Sequence, residues 1–406
     1  MHTSAISEDG LASGSSSASS IVGAVATTRG GPSASGAGLA PVGFDQEGSR
    51  NASADSIAVP TATPAPTAVP GRVWLVPDDE QAATLAAHGH QIGNTVIVAT
   101  GDLRALSPQA MKTIRDASDV VLAPGLSDDA PWQLEAIRRD RQLPGGGLLM
   151  FDAGFDRRMV AVYGHPSTSS LGVLGEQGPE EGVERLQSIA EGYDADGSVI
   201  LPAFEIITTV ASASAGSDGD YSAMTARDVI RPWIETAAAN DMYVVLDLQS
   251  GRSDFLTQAK VYEEFLRLPH VGLALDPEWR LKPHQVHLEQ IGTVDAAEIN
   301  RVVEWLAGVV REEALPQKLL ILHQFRYSMI TNREAIETPP ELAVLIHMDG
   351  QGSMQAKYNT WNALTTMADA DQFHWGWKNF YDEDSPMATP EQVLDLTPNS
   401  VFVSFQ

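Results

Sequence analysis

The chain has 406 residues, of which 43% are hydrophobic, and a formal net charge of −27. This length and composition suffice for two buried cores, and no stretch reaches the roughly 18 consecutive apolar residues of a membrane span. The acidic excess argues against nucleic-acid or anionic-membrane partners, which require clusters of Lys and Arg, and the lack of cysteine excludes disulfides and thiol catalysis.

Residues 1–71 differ in composition from the rest of the chain. Ser, Ala, Gly, Thr and Pro dominate, and the segment ends in TATPAPTAVPG. So little apolar surface cannot offset the entropy of ordering, and we expect a disordered tail that stiffens into a Pro-rich tether. Such linkers commonly precede extracellular catalytic domains. We therefore expect a secreted or cell-surface protein, although no export signal is visible in this chain and a cytoplasmic location stays open.

Residues 72–155 alternate short apolar runs with helical segments. The runs VWLV, TVIVATG, DVVLAP and GGLLMFD predict four strands. Strands that alternate with helices predict a small parallel three-layer α/β domain. The segment lacks a nucleotide-binding G-x-G-x-x-G. We interpret it as an accessory domain, and a wall- or glycan-binding module is the alternative.

Residues 156–406 contain eight apolar runs separated by helix-like segments. The predicted strands are 159–166, 198–206, 242–249, 271–279, 318–325, 341–349, 373–380 and 400–406. Continuous Val/Ile/Leu runs are typical of parallel strands covered on both faces. Eight such units in roughly 250 residues predict a TIM barrel. The chain ends with the eighth strand, so the usual last helix is missing, and the N-terminal domain could cover that strand.

Polar side chains gather at the C-terminal ends of these strands, where TIM barrels carry their active sites. Carboxylates and amides bind sugar hydroxyls, and indole rings stack on sugar faces. We therefore predict a cleft for a polysaccharide or oligosaccharide, without a cofactor. The predicted substrate-binding residues are His165, Glu176, Glu205, Asp247, Gln249, Gln324, His347, Trp375 and Trp377.

The predicted catalytic residues are Asp276, Glu278 and Asp349. Asp276 and Glu278 stand two residues apart at the end of the fourth strand, so their side chains leave a strand on the same side. Glycoside hydrolysis needs one carboxyl that protonates the leaving oxygen and a second that acts as nucleophile or base. Glu278 is the predicted acid, since the charge of Asp276 and desolvation by Trp279 would raise its pKa. Asp349 and Glu205 are the first candidates for a carboxylate across the barrel, followed by Asp247.

The stretch VGLALDPEW resembles two families of barrel glycosidases. Gly272, Asp276 and Glu278 match the glycine, last aspartate and catalytic glutamate of the D-G-x-D-x-D-x-E signature of glycoside hydrolase family 18, the chitinase-like barrels, whereas Val271 and Ala274 replace two aspartates. The stretch also resembles the family 25 lysozymes, which have an aspartate and a glutamate one residue apart at a strand end. Both resemblances imply that Glu278 is the proton donor and Asp276 its partner.

A glycan-binding barrel without catalysis is one alternative. Ala274 favours it, as does the sequence HMDG at 347–350, where the chitinase-like barrels have a tyrosine after strand six. The linkage and the stereochemical outcome stay open, because the outcome depends on the separation of the two carboxyls.

A metal-dependent hydrolase such as a deacetylase is another alternative. His165, His323 and His347 stand at strand ends, and Asp276 or Asp349 could complete a zinc site. No H-x-H or H-E-x-x-H pair supports such a site, so the sequence assigns no metal. We expect the protein to be a monomer.

Overall fold

The structure, a computed structural model, describes residues 71–87, 94–99, 101–151 and 157–406. The predicted tail, apart from Gly71, lies outside the described residues. Among the described residues, no helix is long and apolar enough to cross a membrane. The main features are a small parallel sheet followed by a closed parallel barrel. The predicted domain boundary between residues 155 and 156 stays a prediction.

The small sheet has three parallel strands within the described part of the chain. The elements are β1 (Arg72–Val76), α1 (Asp79–Ala87), β2 (Asn94–Val98), α2 (Pro108–Asp116), β3 (Asp119–Leu122) and α3 (Ala130–Arg139). The strand order is β2-β1-β3. Buried residues such as Leu75, Ile114 and Ile137 form its core. This arrangement confirms the predicted small parallel α/β unit.

The predicted fourth strand, GGLLMFD, does not form, because residues 146–151 have an irregular backbone with bends and pair with no strand. Leu148 packs in the core of the small sheet, whereas Met150 packs inside the barrel. Gln317 satisfies the backbone on both sides: its N–H donates to the carbonyl of Leu148 at 2.7 Å, and its Oε1 accepts from the N–H of Met150 at 2.9 Å. The backbone of this segment therefore bonds to Gln317 of the barrel domain instead of to a strand of the small sheet.

Eight parallel strands close into a barrel in residues 157–406, which confirms the predicted TIM barrel. In chain order the elements are β4 (Arg157–Gly164), α4 (Pro179–Ala190), β5 (Val199–Ala211), β6 (Ser222–Met224), α5 (Arg227–Ala239), β7 (Tyr243–Leu248), α6 (Phe255–Val261), α7 (Glu263–Leu266), β8 (Val271–Leu275), β9 (Val294–Asp295), α8 (Ala296–Glu313), β10 (Lys318–His323), β11 (Ile330–Thr331), β12 (Leu342–Met348), α9 (Met354–Thr365), β13 (His374–Asn379), α10 (Pro390–Leu394) and β14 (Phe402–Phe405). Each predicted barrel strand is confirmed.

The barrel strands follow the order β4-β14-β13-β12-β10-β8-β7-β5, and the pairing of β4 with β5 closes the ring. The short β6 adds to β5 in antiparallel fashion, and β9 pairs with β11 outside the barrel. Since the strands run parallel, all their C-terminal ends meet at one rim.

Apolar side chains fill the barrel interior below that rim. They include small residues, such as Ala203 and Ala274, and large ones, such as Leu345. Leu143 and Met150, which precede the barrel in sequence, belong to the same buried cluster. The interior is therefore a packed core, and the cavity of any active site must lie above it.

The last strand of the barrel is β14. The ring of Phe405 on this strand lies 6.2 Å from that of Tyr193 and 5.8 Å from that of Tyr381. Both tyrosines belong to segments between barrel strands. Segments of the barrel domain therefore pack against part of β14, and cover by the N-terminal domain stays a prediction.

Candidate functional site

Each barrel strand brings one polar side chain into the interior at the C-terminal rim. These residues are Tyr163, Glu205, Asp247, Asp276, His323, His347, Lys378 and Ser404. All but Lys378 come two residues after an apolar residue of the barrel core, so strand alternation turns them inward. None is more than 3% exposed. Together they form a buried polar layer directly above the apolar core.

His323 lies between three carboxylates of this layer and the rim. Its Nδ1 is 3.0 Å from Oδ2 of Asp349, and its Nε2 is 3.2 Å from Oε1 of Glu205 and 3.8 Å from Oδ1 of Asp247. Burial lowers the pKa of His323, but the interactions with Asp349 and Glu205 outweigh burial and hold the pKa well above its usual value. In the absence of a bound cation, these interactions favour the imidazolium form of His323.

His347 is the neutral neighbour of His323. Its Nε2 lies 3.2 Å from the hydroxyl of Ser404, and its Nδ1 lies 3.9 Å from Oε1 of Glu205. Burial lowers the pKa of His347 well below its usual value, and the positive charge of His323 adds to the effect. The two imidazole rings are 4.9 Å apart.

Asp247 is held by Tyr163, whose hydroxyl donates to Oδ2 at 2.8 Å. Lys378 places its ammonium 3.4 Å from the centre of the Tyr163 ring, a cation–π contact. Burial raises the pKa of Asp247 to about 6, and the charge of Glu205 adds to this shift while that of His323 opposes it. The layer thus contains more carboxyl groups, namely Glu205, Asp247 and Asp276, than lysine and arginine side chains, of which it has Lys378.

Asp276 and Glu278 stand at the rim, where β8 gives way to a single 3₁₀ turn at 277–279. The predicted strand 271–279 is therefore too long, and alternation does not set the direction of Glu278. Instead, Oδ1 of Asp276 accepts from the backbone N–H of Glu278 at 3.1 Å and caps the turn. Asp276 is buried, whereas Glu278 remains partly exposed.

Burial raises the pKa of Asp276 well above its usual value and that of Glu278 to about 7. For Glu278, the charge of Asp349 is the next largest cause. Asp349 responds in the opposite direction, since its interactions with His323 outweigh burial and lower its pKa. The rim therefore combines Glu278, a carboxyl with a raised pKa, with Asp349, a carboxyl with a lowered pKa.

Two predicted binding residues, Gln249 and Gln324, use their amides within the protein. Gln249 accepts from the N–H of Ala211 at 3.0 Å and donates to the hydroxyl of Tyr163 at 3.3 Å. Gln324 accepts from Arg333 at 2.9 Å and donates to the carbonyl of Arg326 at 3.2 Å. Both amides fix parts of the rim.

His165 and Glu176 lie outside the buried polar layer. His165 is half-buried on the segment after β4, where its Nε2 lies 2.9 Å from the hydroxyl of Thr225. Glu176 forms an ion pair with Arg185 and keeps a side chain that is 46% exposed. Substrate binding by these two residues stays a prediction.

Trp375 and Trp377 do not point into the barrel interior, and substrate binding by them stays a prediction. Both rings lie in the layer outside the barrel, each 5.8 Å from the ring of Trp361 on α9. Both residues are buried there. The inward positions of β13 are Gly376 and Lys378, because alternate residues of a strand point to opposite faces.

Three residues of the layer escaped the sequence reasoning, namely Tyr163, Lys378 and Ser404. A signal for two of them exists in the sequence: Lys378 interrupts the aromatic strand HWGWKN, and Ser404 interrupts FVSF. A polar residue within a buried strand must find partners, so it indicates the interior of a site. Tyr163 has no such signal, because a tyrosine in an apolar strand reads as core.

Exposed or partly exposed aromatic residues of the rim include Trp279 after β8, Tyr327 after β10 and Tyr381 after β13. Trp279 follows Glu278 directly, is partly exposed and packs 5.4 Å from the ring of His287. Tyr327 is 54% exposed. Of these rings, that of Trp279 belongs to the residue next to Glu278 in sequence.

No protein-family model matches this chain, and no curated protein has a significant sequence match to it. The case for a function therefore depends on the geometry of the rim and of the layer beneath it.

Proposed function

We propose that this protein is a glycoside hydrolase that acts on an extracellular or cell-wall polysaccharide, with Glu278 as general acid. The observation that carries the proposal is the state of Glu278, a partly exposed carboxyl at the barrel rim with a pKa raised to about 7. Such a carboxyl keeps a proton near neutral pH and can donate it to the oxygen of a departing sugar. The same rim carries the active site in other TIM barrels.

Hydrolysis needs a second carboxyl that is ionised while the first is protonated. Asp349 fits this role, because His323 holds it as a carboxylate and its charge reaches Glu278. Asp276 fits a different role, since its side chain caps the turn that carries Glu278. In this proposal, Asp276 positions the acid and Asp349 acts as the partner carboxylate.

The rim also suits a sugar polymer without strong negative charge. Trp279 adjoins the acid and offers an indole face on which a pyranose ring can stack. A chain with a net charge of −27 repels polyanionic polymers. Neutral or amino-sugar polysaccharides are therefore the substrates that this proposal favours.

Reducing-end release from a panel of bacterial and fungal wall polysaccharides tests the proposal. We expect release by the wild-type protein and a loss of at least about 100-fold in Glu278→Gln. Glu289→Gln is the matched control, because Glu289 is an exposed glutamate on the same segment, and its activity should equal that of the wild type.

Full activity in Glu278→Gln would overturn the role of Glu278. If the wild-type protein cuts no polymer yet retains one of them on a pull-down, the proposal fails in favour of a glycan-binding barrel.

A further inference from the structure

Four fully buried side chains of the layer carry polar atoms without a hydrogen-bond partner, and those of Glu205, His323 and His347 lie within 4.8 Å of one another. Glu205, Asp247, His323 and His347 are each 0% exposed. Among the residues that the structure describes, no group makes a hydrogen bond of good geometry to either oxygen of Glu205, Oδ1 of Asp247, Nε2 of His323 or Nδ1 of His347, although Nε2 of His323 lies 3.2 Å from Oε1 of Glu205. A buried polar atom without a partner loses its hydrogen bonds to water and gains none in return, which destabilises the fold. Five such atoms in one place indicate a shared partner.

The separations of these atoms suit a single metal ion. Nε2 of His323 lies 3.2 Å from Oε1 of Glu205 and 3.8 Å from Oδ1 of Asp247. Nδ1 of His347 lies 3.9 Å from the same oxygen of Glu205. Ligand atoms that are about 2.0–2.1 Å from a tetrahedral zinc ion are roughly 3.3 Å from one another. The atoms of Glu205, His323 and His347 all fall within 4.8 Å of each other, so small rotations suffice.

In three of these residues, namely Asp247, His323 and His347, the second polar atom of the side chain is hydrogen-bonded to a neighbouring side chain. The first polar atom of each is the one without a partner. The pairs are His323 Nδ1 with Asp349 Oδ2 at 3.0 Å, His347 Nε2 with Ser404 Oγ at 3.2 Å, and Asp247 Oδ2 with Tyr163 OH at 2.8 Å. Metal-binding histidines and carboxylates are oriented by outer hydrogen bonds of this kind.

The charge of the region also favours a cation. The layer and the rim contain five carboxyls, namely Glu205, Asp247, Asp276, Glu278 and Asp349, whereas the lysine and arginine charges that act on Glu278 there are those of Lys378 and Arg326. Burying this much negative charge is costly unless protons or a cation offset it.

We propose that Glu205, Asp247, His323 and His347 bind one divalent transition-metal ion beneath the rim that carries Glu278. Two imidazole nitrogens and carboxylate oxygens suit zinc, manganese or iron better than magnesium or calcium, which prefer all-oxygen sites. The set differs from the one that sequence suggested, because His165 binds Thr225 elsewhere. Metal binding goes beyond the proposed glycosidase activity and is measurable without it.

A metal-free arrangement is the competing explanation. In it, His323 carries a proton and forms ion pairs with Glu205 and Asp349, so that the positive charge comes from the imidazolium. The two arrangements exclude each other, since a metal on Nε2 replaces the proton there.

Titration of the EDTA-treated full-length protein with Co²⁺ distinguishes them. We expect visible absorption bands that saturate at one Co²⁺ per chain and disappear when Zn²⁺ is added, together with a rise in Tm on metal binding. Glu205→Gln and His323→Gln should weaken binding by at least about 100-fold. His165→Gln is the matched control, a strand-end histidine outside the set, and should bind Co²⁺ as the wild type does.

Saturable binding that persists in both Gln variants would place the ion elsewhere and overturn the proposal. So would a wild-type protein that binds no Co²⁺ at micromolar concentration and keeps the same Tm with EDTA or with Co²⁺. If the Gln variants do not fold, Ser404→Ala replaces them, because loss of the outer partner of His347 should weaken binding about 10–100-fold. A failure to cut any glycan leaves these results unaffected.

Discussion

His323 and Asp349 meet at 3.0 Å between Nδ1 and Oδ2, although 26 residues separate them in sequence. Their strands, β10 and β12, are neighbours in the barrel, with His323 in register with His347. This contact joins the two parts of the site. At the rim, the charge of Asp349 raises the pKa of Glu278. In the buried polar layer, Nε2 of His323 faces Glu205 and Asp247.

The activity should fall on the alkaline side of about pH 7. Glu278 acts in its protonated form, and the protonated fraction decreases as the pH rises through its pKa of about 7. Above that value, kcat/KM should drop about tenfold for each pH unit. The measurement is a pH–rate profile on the polysaccharide that the protein cleaves. A rate that stays constant from pH 6 to pH 9 would show that Glu278 is not the acid.

Removing the charge of Lys378 should shift the alkaline fall in kcat/KM to higher pH; this fall is called the alkaline limb of the pH–rate profile. The ammonium of Lys378 lowers the pKa of Glu278, in opposition to burial and to Asp349. In Lys378→Met, the limb should therefore move upward by about half a unit to one unit. Lys282→Met, which removes a charge from the segment after β8, is the control and should leave the limb in place. A downward shift in Lys378→Met contradicts the charge arrangement.

The tryptophans of the rim and of the outer layer should respond differently to truncation. Trp279→Ala should raise KM by about 2–12-fold with little change in kcat, which corresponds to the loss of one stacking contact of about 0.5–1.5 kcal/mol. Trp375→Ala should instead lower the free energy of unfolding by about 3–5 kcal/mol, because it empties a buried position. Steady-state kinetics and denaturant unfolding measure the two effects. An unchanged KM in Trp279→Ala rules out stacking at this position.

Lys318 lies at the start of β10, at the end of the barrel opposite the rim. Its buried side chain should make the free energy of unfolding depend on pH. The buried ammonium donates to the carbonyls of Leu268 and Val271 at 2.9 and 2.6 Å, and burial lowers its pKa to about 7. Between this value and the usual 10.5, the unfolded chain binds more protons than the folded one, so the stabilising effect increases as the pH rises.

Relative to Lys318→Met, the wild type should therefore gain stability between pH 7 and pH 9.5, by on the order of 2–3 kcal/mol. Urea unfolding of both proteins at the two pH values measures this gain. A difference between the proteins that stays constant with pH would mean that Lys318 has an ordinary pKa in the fold.

The barrel could be predicted from sequence because its strands are continuous apolar runs, separated by helices with regular apolar spacing. Their edges were less certain. β8 ends at Leu275, because Asp276 caps a 3₁₀ turn that begins with Pro277. The apolar pattern of residues 271–275 does not show where the strand ends. The predicted strand at 146–152 failed for a tertiary reason, namely that Leu148 and Met150 serve two separate cores.

The polar residues of the site were mostly predictable, because carboxylates and histidines at the ends of apolar strands are conspicuous. The faces of β13 were not. In a barrel strand both faces are buried, so hydrophobicity alone does not show whether Trp377 or Lys378 points inward. The grouping of Glu205, His323 and His347 also depends on strand register across the barrel, which no local spacing in the sequence records.

The central claim is that Glu278 supplies the proton to the leaving group, and the most direct test compares two substrates of the same sugar. One is the natural glycoside, whose leaving alcohol needs a proton; the other is its dinitrophenyl glycoside, whose leaving group departs without one. We predict that Glu278→Gln lowers kcat/KM at least about 100-fold on the natural substrate and less than about tenfold on the dinitrophenyl glycoside. An equal loss on both substrates, or no loss on either, would contradict the claim.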